Sequence, residues 1–264
     1  PKQSESKSDY YLTPNLERIA KEGARFSRAY APAPMCTPTR GSILLGQTPA
    51  TSHITFPGEA NRQFKKQQYI PATNRNTLPE GASTIASVLK ANGYRTAHIG
   101  KWHMGRGCTP GDFGFDVHDG NTDNLSASPD DPKKTNDLTK RSIQFITESK
   151  QNRKPFFLYL SYYAVHTPTE AKAETVAKFK VRPAGKRHTD PTLAAMTYEL
   201  DQSVGKVLDA LKQSELEKNT YVVILSDNGQ TQRFSETENV PLRGAKSSLY
   251  EGGIRVPMFI RGPK

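Results

Sequence analysis

Apolar residues recur at three- and four-residue steps between residues 191 and 214, and this spacing lines one face of a helix. It is the strongest helical pattern in the chain, and its apolar face is interpreted as part of the core. The positions are Leu193, Met196, Leu200, Val204, Val207, Leu208 and Leu211. Shorter helices are predicted at residues 13–23, with Thr13 as the N-cap, and at residues 83–93 and 136–150.

Runs of apolar and aromatic residues between these helices predict strands at residues 94–99, 156–163 and 220–225. Helices that alternate with strands are typical of an α/β protein with a parallel sheet. No run approaches the ~20 apolar residues that cross a bilayer, so no membrane span is predicted. Residues 56–82 and 105–135 are rich in Pro, Gly, Asn and Asp without periodicity, which indicates long loops of the kind that often serve binding.

The net charge of +11 is the feature of the composition that bears most on function. It favours acidic partners such as a sulfated polysaccharide, nucleic acid or an anionic membrane, although a solvated basic surface gives the same number. The lysines and arginines are scattered, and no basic helix or aromatic-interleaved pattern accompanies them, so nucleic acid binding is not expected. The length of 264 residues fits one large domain or two small ones.

Residues 36–40 read Cys-Thr-Pro-Thr-Arg, and the stretch 39–45 that overlaps them can form a short helix with Cys36 at its amino end. Free N–H groups and the helix dipole at such an end favour an anion. The alternative interpretation is an ordinary buried thiol. Cys36 and Cys108 are the two cysteines of the chain; they do not make a disulfide framework, although they could pair in an oxidising compartment.

Three further segments carry polar residues in short, distinctive orders. Residues 100–105 read Gly-Lys-Trp-His-Met-Gly, residues 226–229 read Ser-Asp-Asn-Gly, and residues 243–246 read Arg-Gly-Ala-Lys. With the pentad at residues 36–40, these segments resemble the formylglycine-dependent sulfatases, and the resemblance extends over residues 11–263. It implies an α/β, alkaline-phosphatase-like sandwich with a large, mostly parallel central sheet flanked by helices, and an enzyme that hydrolyses sulfate esters.

The resemblance implies that Cys36 is oxidised after synthesis, by a formylglycine-generating enzyme, to 3-oxoalanine (formylglycine). A hydrated aldehyde carries two hydroxyls on one carbon, so one can attack sulfur while the other later helps to expel sulfate. A serine at position 36 would leave a sulfate ester that needs a second attack at a crowded, anionic sulfur.

Roles for five other residues follow from the same resemblance. Arg40, one helical turn from Cys36, holds the hydrated aldehyde; Lys101 contacts sulfate and aldehyde, and His103 hydrogen-bonds the diol. Lys101 and His103 are expected to point the same way because they alternate at the end of a predicted strand. His166 contacts the substrate and protonates the departing alcohol, for which a pKa near neutrality is suited, and Lys246 is a second sulfate-binding lysine.

Asp227 and Asn228 follow the predicted strand at residues 220–225, where open α/β sheets bind their ligands. Their oxygen atoms suit Ca²⁺, or Mg²⁺, better than zinc, although Asp-Asn-Gly alone also reads as a turn. The resemblance implies a metal site formed by these two residues, by the aldehyde made from Cys36, and by an Asp-Asp pair upstream of Pro1.

The resemblance also implies that residues 1–264 are the central part of a sulfatase catalytic domain, without the N-terminal strand that bears the Asp-Asp pair and without the C-terminal subdomain. We expect a periplasmic or secreted protein that acts on a sulfated small molecule or glycan, for instance an aryl sulfate. Two alternatives are a phosphonate monoester or phosphodiester hydrolase of the same superfamily, and a catalytically inactive fragment that binds polyanions.

Overall fold

The computed structural model describes residues 7–58, 68–69, 73–123, 128–231 and 239–263. Its helices α1 to α8 are Pro14–Glu22, Cys36–Leu45, Pro49–Ser52, Ile85–Ala91, Thr135–Gln151, Ala173–Lys180, Pro191–Gln213 and Glu251–Ile254. Its strands β1 to β6 are Ala24–Tyr30, Arg95–Gly100, Val117–His118, Phe156–Ser161, Val222–Leu225 and Arg255–Arg261. Parts of the two predicted loops, residues 59–67, 70–72 and 124–127, lie outside the described residues.

The strands form two sheets of three strands each within the described ranges. One has the order β3-β2-β4 and is parallel throughout, as the helix–strand alternation predicted. The other has the order β1-β6-β5 and is antiparallel. The α/β class is therefore confirmed. The single large, mostly parallel sheet that was predicted is found among the described residues as one parallel and one antiparallel sheet. The antiparallel part was missed because β1 and β6 carry arginines among their apolar residues.

Helix α7 packs against α1, α5 and α6, and most of its predicted apolar stripe is buried. The same helix buries a carboxylate, that of Asp201, which accepts hydrogen bonds from the backbone N–H groups of Asn15 at 3.1 Å and Leu16 at 2.8 Å. Asp201 thus satisfies the free amides at the start of α1. The predicted N-cap, Thr13, makes no side-chain hydrogen bond there.

None of the described helices is long and apolar enough to cross a membrane.

A buried histidine, His98 on β2, lies inside an aromatic cluster. Its ring centroid is 5.1 Å from that of Trp102, 5.4 Å from that of Phe115 and 5.1 Å from that of Tyr159, all edge-on. Neither ring nitrogen has a hydrogen-bond partner within the described residues. Burial, assisted by the nearby charge of Arg40, lowers the pKa of His98 to about 3. The ring is therefore neutral in the folded protein.

We expect His98 to make the protein less stable in acid. In the unfolded chain this side chain binds a proton with a pKa of about 6.5. Above that pH the proton does not affect the free energy of unfolding, and the free energy of unfolding falls as the pH drops from 6.5 towards 3. The loss is about 1.4 kcal/mol per pH unit, or about 2 kcal/mol between pH 6.5 and 5. Urea unfolding of wild type and His98→Phe at both pH values measures it. An equal pH dependence in the two proteins would contradict the prediction.

Candidate active site

Helix α2 begins with Cys36, and the thiol is free and buried. The helix was predicted to begin after Pro38, at Thr39, but it starts three residues earlier. Proline is tolerated there because the first turn of a helix has N–H groups without intrahelical partners. Arg40 follows one turn after Cys36 and is 6% exposed. Cys36 therefore lies at the helix end that attracts anions.

Arg40 ties α2 to the ends of three strands. Its Nε and Nη2 donate to Asp227 Oδ2 at 3.0 and 2.8 Å, just beyond β5. Its Nη1 donates to the carbonyl oxygen of Lys101 at 2.8 Å and to Ser161 Oγ, at the ends of β2 and β4. Burial works to raise the pKa of Asp227, but the charges of Arg40 and Lys101 more than offset it and leave the pKa below its usual range. Both N–H groups converge on one carboxylate oxygen, and the charge-assisted ion pair is largely buried.

Lys101 is buried directly after β2. The turn into it requires Gly100, which has φ +104°, and a Cβ there would lie 2.1 Å from the carbonyl oxygen of Ser161. Burial and the charge of Arg40 lower the pKa of Lys101 to about 8, while the neighbouring Cys36 and Asp227 act to raise it. Lys101 is therefore positively charged at pH 7, and it lies close to Arg40, Cys36 and Asp227.

His103 joins the same cluster, but not by strand alternation. Strand β2 ends at Gly100, and His103 has φ +54°, so the strand alternation on which the predicted common direction of Lys101 and His103 was based does not extend to these two residues. His103 Nε2 lies 3.2 Å from Asp123 Oδ1, and Nδ1 lies 3.5 Å from Thr37 Oγ1. Burial and the charge of Lys101 lower the pKa of His103 to about 4, so the ring is neutral at pH 7.

His166 and Lys246 are in contact with each other, and both lie near Lys101. His166 Nδ1 lies 2.7 Å from the carbonyl oxygen of Thr167, so Nδ1 carries the hydrogen. His166 Nε2 then accepts from Lys246 Nζ at 3.1 Å. Burial is the main reason that the pKa of His166 falls to about 4, and the charges of Lys101 and Lys246 act the same way. The near-neutral pKa that was predicted for His166 is not found in this state.

Asn228 has a side-chain oxygen that could bind a cation. Its Nδ2 donates to the carbonyl oxygen of Gly229 at 2.8 Å, while its Oδ1 is buried without a hydrogen-bond partner in the described part of the chain. A buried oxygen that accepts no hydrogen bond fits a hard cation. Asp227 precedes it, and both Asp227 and Cys36 lie close enough to Arg40 for their charges to raise its pKa. No group of three or more His, Cys, Asp or Glu side chains that could hold a metal ion occurs in the described ranges.

The arrangement is a receptor for an anion, because the charges of Arg40, Lys101 and Lys246 surround one inward-facing carboxylate, that of Asp227. Sequence reasoning missed two residues of the cluster. Ser161 could have been noticed as a polar residue that ends an apolar strand. Asp123 lies in a loop whose composition gave no signal.

Comparisons with known proteins agree with the motifs. The family model for the sulfatase family matches residues 4–264. A sulfatase from Formosa agariphila is 29% identical and is matched over 97% of this chain and 59% of its own length. Human N-acetylgalactosamine-6-sulfatase is 28% identical, over 95% of this chain and 52% of its own length. The chain thus spans about half the length of these curated relatives.

Among solved structures, the crystal structure of Ps i-CgsB has a TM-score of 0.82 at 30% identity and covers 99% of this chain. A second structure of that protein, in complex with k-i-k-neocarrahexaose, has a TM-score of 0.80. This chain covers 62% of each of those chains. The predicted alkaline-phosphatase-like fold is confirmed, and the chain belongs to the sulfatase family.

Proposed function

We propose that the protein hydrolyses sulfate esters to an alcohol and sulfate, with a formylglycine nucleophile made from Cys36 by a formylglycine-generating enzyme. The observation that carries the proposal is the anion receptor around the start of α2. A buried cysteine there has Arg40 on its own helix and faces the charge of Lys101. A protein that only binds polyanions does not need a buried, modifiable thiol at the centre of its charges.

When formed, the hydrated aldehyde supplies one hydroxyl to attack sulfur and a second to release sulfate, which regenerates the aldehyde. Lys101 and Lys246 then bind the sulfate oxygens and stabilise the negative charge of the transition state. Arg40 holds the start of α2 against the ends of β2, β4 and β5. His103 is neutral and can accept the proton of the attacking hydroxyl.

His166 is the proposed proton donor to the departing alcohol, although its Nε2 accepts a hydrogen bond from Lys246 in the free protein. A bound sulfate draws the ammonium of Lys246 away and leaves Nε2 facing the substrate. The added negative charge raises the pKa of His166 from about 4 towards neutrality, so the ring can take up the proton that the alcohol needs. Lys246 thus couples substrate binding to the protonation of His166.

Asp227 and Asn228 would hold a divalent cation, with Ca²⁺ the first choice and Mg²⁺ the second, beside the residue made from Cys36. A bound cation would supply positive charge that offsets repulsion between the sulfate and the attacking oxygen. The buried Asn228 Oδ1, which has no hydrogen-bond partner among the described residues, supports the assignment. Because Ca²⁺ takes six to eight oxygen ligands, these two residues alone do not complete its coordination.

A sulfated glycan is the substrate class that we favour. Human N-acetylgalactosamine-6-sulfatase carries a sulfated amino sugar in its name, and Ps i-CgsB binds k-i-k-neocarrahexaose. The net charge of +11 suits a polyanionic chain better than an isolated aryl sulfate.

Paired assays with an aryl sulfate and an aryl phosphonate monoester test the reaction. We expect the modified protein to turn over the sulfate faster, because the segments that carry Lys101, His103 and Lys246 resemble those of sulfatases and the sulfatase family model matches residues 4–264. A chelator should remove this activity, and Ca²⁺ should restore it. Faster turnover of the phosphonate would establish the alternative hydrolase, and polyanion binding without any turnover would establish the non-catalytic alternative. Full activity in the chelator would contradict the metal assignment.

A further inference from the structure

Residues 119–123 are hydrogen-bonded to the segment that carries Lys101 and His103. Thr122 Oγ1 donates to the carbonyl oxygen of Gly100 at 2.5 Å and accepts from the N–H of Trp102 at 2.9 Å. The N–H of His103 donates to the carbonyl oxygen of Thr122 at 2.8 Å. These three hydrogen bonds, all made by Thr122, fix the two segments relative to each other.

The same loop is held from outside the site. Asp119 accepts the N–H of Gly100 at 2.8 Å, and Arg141 of α5 donates to the same carboxylate, with Nη2 3.0 Å from Oδ2. Asp119 is therefore hydrogen-bonded both to the segment that carries Lys101 and His103 and to helix α5. Residues 119–123 thus form a brace, and the position of Asp123 at the end of this brace is determined by the fold.

Asp123 places its Oδ1 3.2 Å from His103 Nε2. A carboxylate only accepts hydrogen bonds, so a neutral His103 must carry its single ring hydrogen on Nε2. His103 Nδ1 then bears a lone pair. Thr37 Oγ1 lies 3.5 Å from Nδ1, but it gives its hydrogen to the carbonyl oxygen of His103 at 2.9 Å. Within the described residues, the lone pair of Nδ1 is therefore available beside Thr37, the residue that follows Cys36.

We propose that Asp123 is a positioning residue that fixes the tautomer of His103, so that Nδ1 is the proton acceptor for the nucleophile at position 36. The proton moves from the attacking hydroxyl to Nδ1 as the oxygen–sulfur bond forms, and His103 becomes a cation that the carboxylate of Asp123 stabilises. This is the logic by which a carboxylate orients a histidine base in hydrolytic triads. The catalytic part rests on the proposed function, whereas the tautomer does not.

Nitrogen-15 NMR of histidine-labelled protein distinguishes the tautomers. With His103 assigned by the loss of its signals in His103→Gln, we expect a protonated Nε2 and an unprotonated Nδ1 in the wild type. Asp123→Ala should shift both nitrogen signals towards a tautomer mixture. The matched control is Asp130→Ala, which removes an exposed carboxylate from the same long loop and should leave His103 unchanged. A proton on Nδ1 in wild type, or unchanged signals in Asp123→Ala, would overturn the proposal.

Turnover of an aryl sulfate tests the catalytic consequence. Asp123→Ala should lower kcat by about 10²-fold, which is the lower range for losing general-base assistance, with little change in KM. A raised KM with unchanged kcat would assign Asp123 to substrate contact instead and would contradict the proton-acceptor role. If the tautomer depends on Asp123 but no variant or wild type hydrolyses sulfate esters, the proposed function falls while the positioning role stands.

Discussion

Cys36→Ala should lose sulfatase turnover by at least about 10⁴-fold, equivalent to about 5.5 kcal/mol of transition-state stabilisation. The alanine has no atom to attack sulfur, and the remaining charges can only bind the ester. Cys36→Ser keeps one hydroxyl, so we expect it to be sulfated once and then to stall, because no second hydroxyl on the same carbon helps to expel sulfate.

Pre-steady-state release of the aryl alcohol measures both outcomes, with a single burst from Cys36→Ser and none from Cys36→Ala. The matched control is Cys108→Ala, which removes the other free thiol. The Cys108 thiol donates to the carbonyl oxygen of Met104, with 3.3 Å between the two atoms. The Cys108→Ala variant should keep its activity. Steady turnover by Cys36→Ser near the wild-type rate would refute the need for two hydroxyls.

Breaking the Arg40–Asp227 pair should give the largest loss of stability. Arg40→Met leaves the carboxylate of Asp227 inside the site without its charged partner, and removing one member of a buried pair destabilises a protein by about 3–5 kcal/mol. Adding Asp227→Leu removes the stranded charge, so the double variant should be more stable than Arg40→Met alone.

Urea unfolding of the two single variants and the double variant completes this cycle. Lys90→Met is the control, because it breaks an exposed pair with Asp116 and should change the free energy of unfolding by less than about 1 kcal/mol. Purely additive losses at Arg40 and Asp227 would show that the two side chains are not coupled, which would contradict the central position of this pair in the site.

Local patterns were sufficient to predict the elements that carry the site. The apolar stripe of α7 and the apolar runs of β4 and β5 depend on spacing within one segment, so they could be read directly. The start of α2 was misplaced by three residues because proline was read as a boundary, although a helix accepts it in its first turn.

Contacts between distant segments could not be predicted in this way. Arg40 and Asp227 are 187 positions apart, and no periodicity relates them. The lowered pKa of His166 depends on burial and on the charge of Lys246, which only the folded chain brings to it. Asp123 is one acidic residue in a loop without periodicity, and its relation to His103 is set by the bonds that brace that loop.

The chemical state of Cys36 is the central claim, and mass spectrometry of the peptide that contains it tests this claim most directly. In protein made together with a formylglycine-generating enzyme, we expect the mass of the aldehyde form and reaction with a hydrazide probe, while Cys108 in the same sample stays an alkylatable thiol. A Cys36 thiol that is fully alkylatable in a sample with intact sulfatase activity would contradict the mechanism.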